Sequence, residues 1–293
     1  MQKPTKNEDS LQGFAFALVA YLMWGFLPLY MKLLAHIPPA EVVAHRVIWS
    51  VPIAGALLVI LGRTRDLSTA LRSPRTLGMA AITAALVSVN WGIYVWSIAT
   101  DHALDAALGY YINPLFSVAL GAVLLGERLT RAQMFAVGLA AAAVVILTIA
   151  AGSLPWVAVS LTVTWGFYAF FKKSLPVGPN QGFLLEVLIL LFPALGYLVW
   201  LTFTGQNHFF DSASNIWLLL GAGLVTAVPL ITYANGAKGL RLSTIGIMQY
   251  ITPTMIFLIA VFLFDEPFTP ARMIAFPMIW TALVIYSVSM FRS

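Results

Sequence analysis

The sequence predicts an all-α polytopic membrane protein of ten transmembrane helices, arranged as two inverted five-helix repeats. Three observations lead there. Of 293 residues, 60% are apolar and only 9% charged, too few charges to solvate the surface of a water-soluble globule. Apolar runs of about twenty residues recur between short polar breaks, and at about 1.5 Å per residue such a run crosses the hydrocarbon layer as a helix. The chain also matches itself at an offset of 139 residues. A β-barrel is excluded, because the runs are too long and lack the alternation that a polar lumen imposes.

The spans fall at 11–34, 40–61, 76–98, 103–125, 132–151, 154–173, 181–203, 214–236, 243–264 and 271–291. Residues 1–10 form a polar tail. The first run is retained rather than cleaved, because it continues through W-G-F-L-P-L-Y-M-K-L-L and has a counterpart in the sixth. Thr130 with Gln133 has the pattern of a capping box, and Thr269-Pro270 sets a cap before a first-turn proline. Both therefore mark the start of a repeat's last helix.

Net charge is +5, and its placement sets the topology, since Lys and Arg in short loops stay cytoplasmic. With the N-terminus inside, the cytoplasmic segments hold Lys3, Lys6, Arg63, Arg65, Arg72, Arg75, Arg128, Arg131, Lys172, Lys173, Lys238, Arg241 and Arg292, and the outer loops hold Arg272 alone. Ten spans return the C-terminus to the cytoplasm. The basic residues are thus topology signals for a lipid bilayer and give no footing to nucleic-acid binding. Cysteine is absent, which excludes disulfides, thiolate nucleophiles and Cys metal sites.

The internal match sets Tyr94 over Tyr233, Tyr111-Ile112 over Tyr250-Ile251, Pro114 over Pro253, Glu127 over Glu266 and Thr130 over Thr269. A second alignment, at an offset of 141, sets Trp24 to Phe26 over Trp165 to Phe167, Lys32 over Lys173 and Pro52 over Pro193. The division is therefore 11–151 and 152–293, five helices each. Five is odd, so the second copy enters from the opposite side. Charge agrees with this inversion: Arg128 and Arg131 of the first copy are replaced by Pro267 and Pro270 in the second. Inverted repeats of this kind are a signature of secondary transporters, whose site lies near the midplane between the copies.

The segments W-G-F-L-P-L-Y-M-K-L-L (24–34), E-V-V-A-H-R-V-I-W-S (41–50), N-W-G-I-Y-V-W (90–96), L-G-Y-Y-I-N-P-L (108–115) and G-E-R-L-T (126–130) resemble the drug/metabolite transporter superfamily, in its EamA-type group and RarD branch, the so-called chloramphenicol-sensitive proteins. The resemblance covers the whole chain. It implies a bacterial inner-membrane location, alternating access, and a central cavity lined by spans 1, 3, 4, 6, 8 and 9. It supplies no substrate.

Ionisable groups inside lipid are costly unless they face a cavity or partner, which makes each a functional candidate. In the second span Glu41, His45 and Arg46 suggest an anion-binding or gating cluster, with Arg46 on a carboxylate and Glu41 or His45 relaying a proton; the alternative is a network closing the outer end. Glu186 holds nearly the same place in the seventh span and either carries a proton or pairs with Lys172 or Lys173 as an inner gate. Lys32 reads as an interfacial anchor or as a substrate contact. Asn90, Asn113 and Gln249 either glue helices or line the cavity. Pro114 and Pro253 each free a carbonyl one turn upstream and predict kinks at matching points of both halves. Among the many aromatics, Trp24, Tyr94, Tyr110 and Trp165 lie in spans that the resemblance places round the cavity.

Aromatic faces suit a cation, whereas Arg46 and Lys32 suit a carboxylate; together they fit an amino-acid-like zwitterion. The expected function is therefore secondary transport of a small amphipathic metabolite, by export or exchange with proton or exchange coupling. A multidrug or organic-cation exporter is the alternative, followed by a membrane enzyme or channel. No nucleotide-binding P-loop or zinc-protease motif occurs, and His36, His45, His102 and His208 are too scattered for a metal. No cofactor is expected.

Overall fold

The computed structural model describes residues 10–60, 62, 64–126, 128–240 and 242–292. The tail except Ser10 lies outside the described residues, as do Arg63, Glu127 and Arg241 and the side chains of Arg65, Lys238 and Arg292. The helices are α1 (Leu11–Leu33), α2 (Pro39–Ile60), α3 (Thr64–Leu71), α4 (Pro74–Ala99), α5 (Ala103–Leu125), α6 (Arg131–Ala151), α7 (Trp156–Ser174), α8 (Pro179–Phe203), α9 (Ala213–Gly236), α10 (Leu242–Met248), α11 (Ile251–Phe262) and α12 (Pro270–Arg292). Among the described residues nine stretches are long and apolar enough to cross a membrane. The shorter α7, ending in Lys172 and Lys173, occupies the sixth predicted span.

Local chemistry sets the boundaries. Ser10, Ser73 and Ser212 accept from the amides of Gly13, Thr76 and Asn215 and start α1, α4 and α9. The expected capping box is present at α6, where the Thr130 and Gln133 side chains each accept the other's backbone N–H. Thr269 accepts from Arg272 N–H at the start of α12. Gly126 ends α5 in the left-handed region, at φ 68°, which costs glycine nothing.

Two elements depart from the expected spans. The polar break after the second span contains α3, whose Leu67 and Ala70 pack with Leu175 and Val177. An eight-residue amphipathic turn is too short to register as a span. The ninth span divides into α10 and α11, with Gln249 and Tyr250 between them. Pro253 is the third residue of α11, where its missing N–H breaks no helical bond. Pro114, by contrast, lies within an uninterrupted α5, so the helix is interrupted in only one copy.

Burial runs against the pattern of a soluble protein. Phe192, Ile149 and Trp217 are more than 70% exposed, whereas Ala17, Ala20, Ala80, Ala103 and Ala106 are wholly buried. Small side chains let helices approach closely where lipid, not water, is outside. At Gly223 of α9 even a β-carbon would collide with the Trp49 backbone of α2.

The principal helix pairs are α1 with α9 and α11, α2 with α8 and α9, α4 with α7 and α8, α5 with α7 and α11, and α6 with α12. Exchanging each helix for its counterpart, α1 for α7, α2 for α8, α4 for α9, α5 for α10–α11 and α6 for α12, returns the same set. The end of α1, the start of α2 and the α4–α5, α8–α9 and α11–α12 turns meet at one face, called distal here. The start of α1 meets the α9–α10 connection at the opposite, proximal face.

Candidate functional site

A cavity of about 200 Å³ lies at the centre of the bundle. It is walled by Tyr21, Trp24 and Leu27 of α1, Arg46 of α2, Val87, Asn90, Trp91 and Tyr94 of α4, Tyr110 and Asn113 of α5, Trp165 and Tyr168 of α7, Thr226, Leu230 and Tyr233 of α9, and Gln249, Thr252, Pro253 and Ile256 at the α10–α11 break. These helices are the six that the resemblance implies, with α2 added through Arg46.

Among the described residues Arg46 carries the only formal charge in that wall. It is 3% exposed. Its Nε donates to Thr226 Oγ1 at 2.9 Å, and its guanidinium carbon lies 4.8 Å from the centre of the Trp91 ring. Thr226 in turn donates to Ala222 O, which leaves its oxygen lone pair for Arg46. Nη1 is buried without a hydrogen-bond partner, and among the described residues no carboxylate lies within ion-pair distance. A buried guanidinium met only by a hydroxyl and a ring face remains under-compensated, and a desolvated charge in that condition attracts an anion.

Two neutral polar groups are likewise unanswered. Tyr94 Oη and Asn113 Oδ1 are buried without partners, one able to donate and the other only to accept. Asn90 is different: its Nδ2 donates to Thr164 Oγ1 at 2.9 Å and to Leu161 O at 3.2 Å, tying α4 to α7. It thus lines the cavity and glues helices at once. Aromatic rings fill the remaining wall. Tyr94 and Tyr110 lie 6.0 Å apart between ring centres, and Tyr110 meets Trp165 edge-on at 6.5 Å. Trp24 packs with Tyr21 and Tyr233 at 5.8 and 5.5 Å.

Eight of the nine substrate-contact candidates therefore come together. The exception is Lys32, whose Nζ pairs with Asp101 at 2.5 Å at the distal end and sits 5.0 Å over Phe264. The expected cluster of Glu41, His45 and Arg46 also divides. Glu41 is fully buried and accepts from the His208 amide at 2.8 Å, with His208 Nδ1 at 2.7 Å. His45 accepts from Trp49 Nε1 and stacks on Phe209 at 4.9 Å. Glu41 and His45, four apart, share a face as their spacing predicts, but that face is turned to the α8–α9 turn, away from the cavity. Arg46, one residue on, points inward instead. Glu186 pairs with Lys172 Nζ at 2.7 Å and accepts from Tyr168 Oη at 3.3 Å, which is the paired arrangement of the two that its position allowed.

Four contributors carry no advance signal. Thr226 aligns with Val87 across the repeat, so repetition hides it. Tyr21, Trp91 and Tyr233 are indistinguishable in sequence from interfacial aromatics. A fifth, Thr252, donates to Tyr21 O at 2.9 Å and is marked only by its place beside Pro253.

The first half of the chain, residues 11–149, matches the EamA-like transporter family. An uncharacterised transporter of Vibrio cholerae is 43% identical to this chain, covering 96% of it and 94% of the relative. Protein RarD of Escherichia coli is 39% identical over 95% of both. The chloramphenicol-sensitive protein RarD of Pseudomonas aeruginosa is 32% identical over 94% of this chain and 93% of its own. A solved crystal structure, 21% identical, superposes with a TM-score of 0.61 over 96% of this chain and 98% of its own, a likeness of fold alone.

Proposed function

The chain belongs to the EamA-like transporter family, in its RarD branch, and on that premise we propose that it moves an amino-acid-like zwitterion through the central cavity by alternating access. A transporter is what the family description and the Vibrio cholerae relative's name give. The observation that carries the finer reading is the buried, unfilled Nη1 of Arg46 in an otherwise uncharged wall. A substrate carboxylate satisfies that nitrogen and Tyr94 Oη; a substrate ammonium donates to Asn113 Oδ1; the aromatic walls take an apolar side group. The two moving parts are residues 11–151 and 152–293, a reading supported by the exchange symmetry of the helix pairs. The same proposal puts the protein in a bacterial inner membrane with both termini cytoplasmic, exporting or exchanging its substrate. Glu41, His45 and Glu186 then act in gating or proton coupling rather than in substrate contact.

An organic-cation exporter is favoured by one observation, the three packed rings of Tyr21, Trp24 and Tyr233. Counterflow in proteoliposomes separates the readings. Neutral amino acids should exchange and tetraalkylammonium ions should not. Hydrogen bonds to a charged group contribute about 1.5–3 kcal/mol, so Arg46→Gln should lower carboxylate counterflow by about 10- to 100-fold while the purified protein remains monodisperse. Carboxylate exchange at the unaltered rate in that variant refutes the anion site.

A further inference from the structure

At the distal face each half of the chain inserts a buried carboxylate into the other. Glu266, in the α11–α12 turn and 4% exposed, accepts from the first two amides of α5, Ala103 N–H at 2.6 Å and Leu104 N–H at 2.9 Å. Those amides are helix-terminal donors with no partner inside α5, and they carry the positive end of its dipole. Glu41 of the first half is received in the same reciprocal manner by the backbone and ring of His208 in the second. Three lesser contacts cross between halves at this end. Arg272 reaches Asp105 at 3.0 Å, His36 meets Asn215 at 2.9 Å, and Tyr30 donates to the Leu218 carbonyl. Asn215 also donates to His208 O, so the α8–α9 turn is held to the start of α9 while it grips α2.

We propose that Glu266 on the α5 N-terminus and Glu41 on His208 are the two clasps of the distal gate, and that both part whenever the cavity opens to that face. Every contact joins residues of opposite halves, so any rocking of one half against the other at this end must break them together. The charge-assisted bonds are strong enough to set the closed state and too few to make it permanent. Glu266 thereby acquires a role that its place in the doubled E-x-x-T motif does not suggest. The proposal rests on alternating access but on no particular substrate.

The chain has no cysteine, so a single reporter thiol at Val87, a buried wall residue of the cavity, gives a substrate-free readout. Val87→Cys is labelled with a membrane-impermeant maleimide from the distal face and, in vesicles of opposite orientation, from the proximal face. Loss of one of two charge-assisted bonds in Glu266→Gln should raise distal labelling by about tenfold and lower proximal labelling. His208→Asn should act in the same direction. A second variant keeps both clasp carboxylates: Asp105→Cys with Arg272→Cys, bridged by a short bifunctional thiol reagent in the reporter background. Bridging should abolish distal labelling, spare proximal labelling and reverse on reduction of the bridge. Distal labelling unchanged by Glu266→Gln and His208→Asn, or undiminished in the bridged protein, overturns the proposal. Neither result touches the carboxylate specificity of Arg46.

Discussion

Arg46 and Glu186 sit within one position of equivalence between the two halves, at an offset of 141, and the protein treats them in opposite ways. Both are essentially buried, at 3% and 1% exposure. Glu186 is neutralised in place by Lys172 and takes a hydroxyl from Tyr168. Arg46, in the wall of the cavity, receives one hydroxyl and a ring face, and its Nη1 is buried without a hydrogen-bond partner. The same depth in the bundle thus yields an ion-paired charge at one end and a guanidinium with no carboxylate partner at the other. A buried charge compensated by its own chain holds structure together; one left half-compensated beside a cavity is available to something that arrives from outside.

The comparison breaks first at Lys172. Removing one partner of a buried pair costs about 3–5 kcal/mol, and with 21% of the Lys172 side chain exposed the lower end applies. Lys172→Gln should therefore lower the melting temperature of the purified protein by several degrees, whereas Arg46→Gln should leave it nearly unchanged. Equal losses in the two variants would erase the distinction between them. Next comes Thr226. Thr226→Val removes the acceptor that aims Arg46 and, at about 1.5 kcal/mol, the lower end for one hydrogen bond to a charged group, should raise the apparent KM for a carboxylate substrate by about tenfold with little change in maximal rate. Thr226→Ser should restore the wild-type value; a simple packing defect would not be so rescued.

Much of the architecture was legible in the sequence because lipid imposes it. Ten apolar stretches of span length must become helical, and all are, the ninth in two pieces and the sixth, α7, despite its two terminal lysines. The cavity was legible in outline for a similar reason, since a polar side chain in a span must face something polar; Asn90, Asn113, Gln249 and Arg46 all line it. What stayed hidden depends on which way adjacent residues turn. Glu41 and His45 face the α8–α9 turn while Arg46 faces inward, a division that spacing along one helix suggests only if the neighbouring helices are known. His208 and Glu266 lie in turns, where no periodicity reports their partners. The break between α10 and α11, against the continuous α5, shows that the same Y-I-x-P pattern permits both outcomes and that packing decides.

The central claim is that the open valence of Arg46 selects a carboxylate. Its most direct test is ligand-induced thermal stabilisation of the purified protein by paired compounds, neutral amino acids and their carboxamides, since stabilisation reports affinity for the folded state. Amino acids should stabilise the wild-type protein more than their amides, and Arg46→Gln should abolish that preference. Amides that stabilise as well as the acids, or a preference that survives in Arg46→Gln, would contradict it.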